Sequence, residues 1–335
     1  MRILRVSLLV VALAGLLAAA KTLDIYSIDV EGGQSTLIVT PSGDSMLVDA
    51  GWPGFNGRDA DRIAAAAKQA GIKQIDYLLV THYHADHVGG VPQLVEKIPV
   101  VHFLDHGPNQ EANPGVEQLY AGYSKLAAEG KHMVVKPGDR IPLKGADVQI
   151  VEAAGEAIAA PVKGGGAPNP ACGGVEPKAV DKTENAQSNG FLLTFGKFRF
   201  IDLGDLTWNK ELGLACPNNK LGTVDVFLVT HHGMNISNSP AIVQALHPKV
   251  AIMNNGAKKG GTAQAWQVVK NSPGLQDLWQ LHYAVAGGNE NNSPADYIAN
   301  PEGPDDAGYG IKLSAQTDGA FTVTNSRNGF TKTYK

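Results

Sequence analysis

The chain has 335 residues, with 28 Lys and Arg against 32 Asp and Glu and a formal charge of −4. This length suits one large domain or two small ones, and 43% hydrophobic with 18% charged residues excludes a disordered or collagen-like chain. Two cysteines exclude a disulfide scaffold and a four-cysteine zinc module. The slight acid excess also disfavours a nucleic-acid coat protein, which carries a basic stripe.

Residues 1–20 read as a secretory signal peptide. Arg2 and Arg5 precede an apolar run from Leu8 to Leu17, and Ala18, Ala19 and Ala20 close the segment with small residues. The run is shorter than the roughly 20 residues that a membrane-spanning helix needs, and no second segment of the chain is apolar and long enough. The expectation is a mature protein that starts near Lys21, carries a net charge of −6, and resides in the periplasm or outside the cell, not in the membrane. In such an oxidising compartment Cys172 and Cys216 could pair; the alternative is two unrelated buried thiols.

Three short strands open the mature chain at 23–30, 34–40 and 45–49, separated by the turn signals Glu31-Gly32-Gly33 and Pro41-Ser42-Gly43. Ile63, Ala66, Ala67 and Ala70 have helical spacing. The nearly continuous apolar run 75–81 predicts a strand covered on both faces. A helix near 91–97, a strand at 100–104, a helix over 115–129 and a strand at 147–151 follow. The stretch from about 154 to 184 has Gly164-Gly165-Gly166, several prolines and no apolar periodicity. It reads as a loop insertion that could be cut without unfolding the core. Strands resume at 190–195, 197–201 and 224–229, then a helix at 240–246 and a strand at 250–253. Helical pieces are expected at 263–269 and 275–279, a loop over 286–310, and a closing hairpin of strands 311–315 and 320–324. Strand clusters interleaved with helices predict a layered α/β fold in a single domain over 21–335.

Chemistry-bearing residues collect where these strands end. The strand 75–81 runs into His82-Tyr83-His84-Ala85-Asp86-His87. His82 and His84 are two apart and project to one side of extended backbone, and Asp86 and His87 lie where the chain turns toward a helix. One histidine is more often a satisfied polar residue than a ligand. Four such groups at the end of a buried strand are costly to desolvate without a metal or partners, and their types are those of zinc ligands. The strand 224–229 ends in His231-His232-Gly233, and the strand 197–201 ends in Gly204-Asp205. Asp205 could bridge two metal ions; alone, it would read equally as a helix N-cap. Only one of His231 and His232 is expected to bind metal. His106, after the strand 100–104, is either a substrate contact at the rim or part of a surface turn.

The string His82-x-His84-x-Asp86-His87, the Leu-Val-Asp-Ala-Gly at 47–51, Gly204-Asp205 and His231-His232-Gly233 together resemble the metallo-β-lactamase superfamily. Asp29-Val30-Glu31-Gly32-Gly33-Gln34-Ser35 and Glu184-Asn185-x-x-Ser188 are similar to the hydrolase domain of ComEC-type competence proteins. The resemblance implies a four-layer αββα sandwich with two zinc ions (Zn2+), or another divalent metal, at its edge. It implies that His82 and His84 hold one ion, and that Asp86, His87 and one of His231 and His232 hold the other, with Asp205 between them. Asp86 would orient water, and Asp49 would support the site from behind. The family's usual third histidine is missing; Glu184 stands nearest its position. Gly32 and Gln34 stand where the ComEC pattern has Gln and Asp.

Zinc makes hydroxide available near neutral pH without a protein base, and no Gly-x-Ser-x-Gly elbow is present. The leading expectation is a secreted zinc-dependent hydrolase that uses a metal-bound hydroxide on a phosphodiester, nucleic acid being one candidate. Nucleic acid as that phosphodiester is not supported by the charge of −6, because long nucleic acid needs cationic contacts; Lys258-Lys259 reads as a solvated loop. The alternatives are an amide, ester or lactone hydrolase, β-lactams included, and a metal-dependent binding module without catalysis.

Overall fold

A computed structural model describes residues 22–301 and 307–335; the segment 1–20 expected to direct export lies outside them. Two large sheets dominate. The first runs, edge to edge, through Thr331–Tyr334, Phe321–Asn325, Ile311–Ala315, Leu23–Ser27, Thr36–Val39, Ser45–Val48, Ile75–Leu79, Val100–Asp105 and Lys131–Val134. It is antiparallel as far as Ser45–Val48 and parallel beyond. The second runs through Ile298–Asn300, Asp277–His282, Val250–Met253, Val226–Leu228, Phe198–Asp202, Gly190–Phe195, Asp147–Ala153 and Arg140–Ile141. Its first five strands are parallel and the remainder antiparallel.

Strand alternation divides the apolar residues among three cores. Ile25, Ile38, Val48 and Leu79 of the first sheet meet Phe191, Phe200, Leu228 and Trp279 of the second between the sheets. Leu37, Leu47 and Leu78 point the other way, onto Ile63 and Ala67 of the helix Arg58–Ala70 and Val116 and Tyr123 of the helix Pro114–Glu129. Ile201, Phe227 and Ala251 face Leu214, Ile242, Leu246 and Val269 of the helices Trp208–Ala215, Pro240–Leu246 and Ala263–Lys270. The result is helix, sheet, sheet, helix: the four-layer αββα sandwich that the sequence resemblance implies. Gly57 and Gly71 bracket the first helix in left-handed conformations, and Asn113 caps the second by accepting from the Gly115 amide at 2.9 Å.

The segment 275–279 is not helical. Asp277–His282 is a buried parallel strand in which Trp279 and Leu281 face the inter-sheet core and Leu278 the outer one. Apolar groups on both sides of a short segment are what a strand inside a parallel sheet requires, and helical periodicity cannot be told from it over so few residues. The expected loop 286–310 contributes the neighbouring strand Ile298–Asn300. The Gly- and Pro-rich insertion is largely irregular yet anchored. Ile158 and Val162 are buried in the outer core, Asn169 Nδ2 donates to the Ala215 and Ala241 carbonyls, and Cys172 forms a disulfide with Cys216.

Candidate metal centre

The parallel strands of both sheets point their carboxyl ends at one edge, where loops can carry function. Asp49 follows Ser45–Val48, and His82 to His87 follow Ile75–Leu79. Asp205 follows Phe198–Asp202, and His231 and His232 follow Val226–Leu228. Three of these positions have left-handed backbone at a residue other than glycine: Asp49 (φ 59°), His231 (φ 54°) and His232 (φ 54°). Such conformations cost of order 1–3 kcal/mol each and persist where the surroundings over-determine them. Gly204 (φ 55°) has a different reason, since a Cβ there would meet the Thr81 side chain.

The hydrogen bonds fix which nitrogen of each histidine looks into the site. Nδ1 of His87 lies 2.7 Å from Asp49 Oδ2, and Nδ1 of His232 lies 3.3 Å from the Asn254 carbonyl. Both acceptors can only accept, so each ring donates from Nδ1 and aims a lone pair from Nε2. Those two Nε2 atoms are 3.3 Å apart. Asp86 Oδ2 lies 3.2 Å from each, and Asp205 places Oδ2 3.2 Å from His87 and Oδ1 3.3 Å from His232. Asp86, His87, Asp205 and His232 thus converge with ligand atoms within 4.8 Å of one another. Asp205 Oδ1 is buried without a hydrogen bond.

His82 and His84 form a second convergence. His84 Nε2 is bound by Glu111 Oε2 at 2.9 Å, which leaves a lone pair on Nδ1. Thr81 Oγ1 donates to Asp49 Oδ2 at 2.7 Å and therefore accepts from His82 Nδ1 at 3.1 Å. The lone pairs of His82 Nε2 and His84 Nδ1 then face each other at 3.1 Å. Two lone pairs opposed at that distance repel unless a cation or shared proton lies between them. Opposed nitrogens and an orphaned carboxylate oxygen are the donor chemistry of divalent transition-metal sites. The residues therefore fit the metal that the fold implies.

The electrostatics agree. Burial alone would raise the Asp86 and Asp205 carboxyls. The charge on His87 and hydrogen bonds from His232 and His87 hold Asp86 well below the usual range, and His231, His232 and His87 do the same for Asp205. Burial, reinforced by the charge of His87, holds His82 well below its ordinary value, and burial lowers His231 to about 4. Carboxylates ionised and imidazoles neutral are the ligating forms; His87 is the exception, because Asp205, Asp86 and Asp49 raise it well above its ordinary value, so that a metal would have to displace its proton.

His231 is set apart from His232. Its Nδ1 is 3.1 Å from Ser237 Oγ, which itself donates to the Leu206 carbonyl, and its Nε2 is 3.2 Å from Asp205 Oδ2. Glu184 does not stand in for the missing third histidine. Its carboxylate is taken up by His106 Nε2 at 2.9 Å and by the Gln110 and Tyr83 amides at 2.7 and 3.3 Å. His106 is correspondingly buried against Tyr83 rather than at a rim. Ser188, four residues after Glu184, places Oγ 3.4 Å from His82 Nδ1.

Several contributors carry no local signal. Glu111 precedes a helix, and Asn254 ends a strand. Gln34 ties the sheets together by donating to Asp202 at 2.8 Å and accepting from Asn254 at 3.2 Å. Asp202, pushed up to about 7 by burial, also accepts from the Gly204 amide. Lys259, far along the chain, contacts Asp86 Oδ2.

The sequence profile of the Metallo-beta-lactamase superfamily matches residues 28–177. That stretch, just under half of the chain, is similar to the superfamily. A hydroxyacylglutathione hydrolase of Klebsiella pneumoniae is 35% identical over 85 residues, 25% of this chain and 27% of that protein. One of Stenotrophomonas maltophilia is 31% identical over 104 residues, 30% of this chain and 37% of that protein. The chain thus spans about a third or less of the length of these relatives. Among solved structures, the metallo-beta-lactamase fold protein YhfI of Bacillus subtilis is 11% identical, with a TM-score of 0.47, covering 78% of this chain and 96% of that one. The diiron beta-hydroxylase CmlA of Streptomyces venezuelae is 17% identical, with a TM-score of 0.41, covering 76% and 47%.

Proposed function

We propose that this protein is an exported, metal-dependent hydrolase of small-molecule esters, with zinc as the resident metal. The observation that carries the reading is the convergence of Asp86, His87, Asp205 and His232 at the sheet edge, beside the opposed nitrogens of His82 and His84. His82 and His84 would hold one ion and Asp86, His87 and His232 the other, with Asp205 placed to serve both. Two bound zinc ions would supply Lewis acidity and lower the pKa of water at the site. The protein's own groups do the rest. Asp49 holds His87 and Glu111 holds His84 in the ligating tautomer, Thr81 ties His82 to Asp49, and the Asp86 carboxylate is positioned to orient water and to hand a proton to a departing group.

The relatives' names favour a thioester, the bond between a hydroxyacyl group and glutathione's sulfur. The ComEC-like motifs favour a phosphodiester as the second reading, one that the relatives do not support, and the absent third histidine counts against a β-lactam. Export is consistent with the Cys172–Cys216 disulfide, because such bonds persist in oxidising compartments.

The test is a substrate panel on protein of measured zinc content: a hydroxyacylglutathione thioester, bis-p-nitrophenyl phosphate, nitrocefin and a lactone. Turnover of the thioester is expected, with Asp205→Ala losing zinc and at least 100-fold in rate. Zinc bound without turnover of any substrate would leave a binding module instead, and zinc content far below one ion per chain would sink the metal reading.

A further inference from the structure

Lys259 occupies a loop built to hold it at the site. Gly260, in left-handed conformation (φ 79°), packs so closely on the His232 carbonyl that a side chain would collide with it. The Gly261 amide donates to that carbonyl at 2.8 Å, the Thr262 amide to Gly233 at 3.0 Å, and the Gly256 amide to the Lys259 carbonyl at 2.9 Å. From this fixed base the Lys259 ammonium reaches across to Asp86 Oδ2 and lies 5.0 Å above the Trp52 ring. Its side chain is 31% exposed, so it is both in the site and open to what enters. Lys258, its neighbour, is exposed.

Asp86 Oδ2 also belongs to the ring of donors around His87 and His232. A cation held there draws on the same carboxylate charge, leaving the ammonium with the Trp52 face, which attracts a cation but neutralises nothing. A lysine beside a divalent ion is repelled unless an anion lies between the two. A flexible ammonium with three donors suits an oxyanion arriving from solvent.

We infer that Lys259 is the specificity arm of the site, binding a carboxylate or phosphoryl oxygen that the substrate carries next to the bond to be cut. The inference rests on the hydrolase reading above. The restriction to anionic substrates, and the choice of Lys259 over Lys258, go beyond it.

The test compares wild type with Lys259→Met, Lys259→Arg and, as an equal loss of charge one residue away, Lys258→Met. Two esters of p-nitrophenol serve as substrates: the succinate half-ester, which carries a free carboxylate, and the neutral butyrate. Lys259→Met should raise KM for the half-ester about 10-fold more than it changes KM for the butyrate. Lys259→Arg should restore most of the loss, and Lys258→Met should behave as wild type. Calorimetric titration of inorganic phosphate into the zinc-loaded proteins gives a readout without turnover, expected to be about 10-fold weaker in Lys259→Met alone. An effect on the half-ester only assigns a carboxylate, and an effect on phosphate only assigns a phosphoryl group. Equal phosphate affinity and equal KM values in wild type and Lys259→Met overturn the inference. So does an equal change with both esters, which would mark Lys259 as a mere counter-ion of Asp86. Failure of every protein to take up zinc would instead sink the hydrolase reading.

Discussion

At the scale of single residues, the proposed metal ligands depend on groups that would touch no metal. Asp49 accepts from His87 Nδ1, from the Thr81 hydroxyl and from the Thr81 amide, all between 2.7 and 2.8 Å. Its charge therefore orients His87 directly and His82 through Thr81. Partners of this kind typically contribute 10–100-fold to metal affinity. Asp49→Asn is expected to weaken zinc binding about 10-fold or more while far-UV circular dichroism stays unchanged, as a competition titration against a chelating dye would show. Unchanged affinity would mean that packing alone orients His87. The convergence of these candidate ligands was legible in the sequence because His82, His84, Asp86 and His87 are neighbours in the chain, and spacing along a strand end is local information. Lys259 was not, since it acts on Asp86 across 173 positions of sequence, and a Lys-Lys-Gly-Gly stretch looks like any solvated loop. The pairing of Glu184 with His106 was hidden for the same reason; each residue alone looked available.

At the scale of elements, the strand Asp147–Ala153 carries a group that opposes its burial. Glu152 pairs opposite Gly190 at a register shift, and its Oε2 has no hydrogen-bond partner. Burial pushes its carboxyl up to about 8 even though Lys210 and Lys220 pull the other way. A carboxyl raised in the folded state contributes stability that is fully present below its unfolded pKa of about 4.5 and is lost as pH climbs toward 8. Glu152→Gln should therefore flatten the fall in melting temperature between pH 5 and pH 8 and raise it by a few degrees at pH 8, measured by scanning calorimetry. An unaltered pH slope would place the titration elsewhere. Most elements were readable because alternation and helical spacing are strong over 5 to 16 residues, as in Leu23–Ser27 or Pro114–Glu129. Asp277–His282 was not, because a short run with apolar groups on both faces fits either period. The strands Lys131–Val134 and Thr331–Tyr334 carry few apolar side chains and owe their place to their neighbours' backbones.

At the scale of the whole molecule, the centre is shared between two halves of the chain. Asp49, His82, His84, Asp86, His87 and Glu111 come from the first sheet and its loops; Asp205, His231 and His232 come from the second. The superfamily match ends at residue 177 and contains only the first set. The insertion links Asp147–Ala153 to Gly190–Phe195 within the second sheet, and residues 176–180 form a continuous exposed run in it. The bond between Cys172 and Cys216 spans that stretch. A protease that cuts at Lys178 or its neighbours severs the backbone but not the molecule. Trypsin under mild conditions should give two fragments on a reducing gel, one band of intact size on a non-reducing gel, and undiminished zinc content before reduction. Separation into two fragments without reductant would show that the cysteines are not joined. With the bond in place, the chain is topologically a loop at this point, and a nick there leaves one particle rather than two.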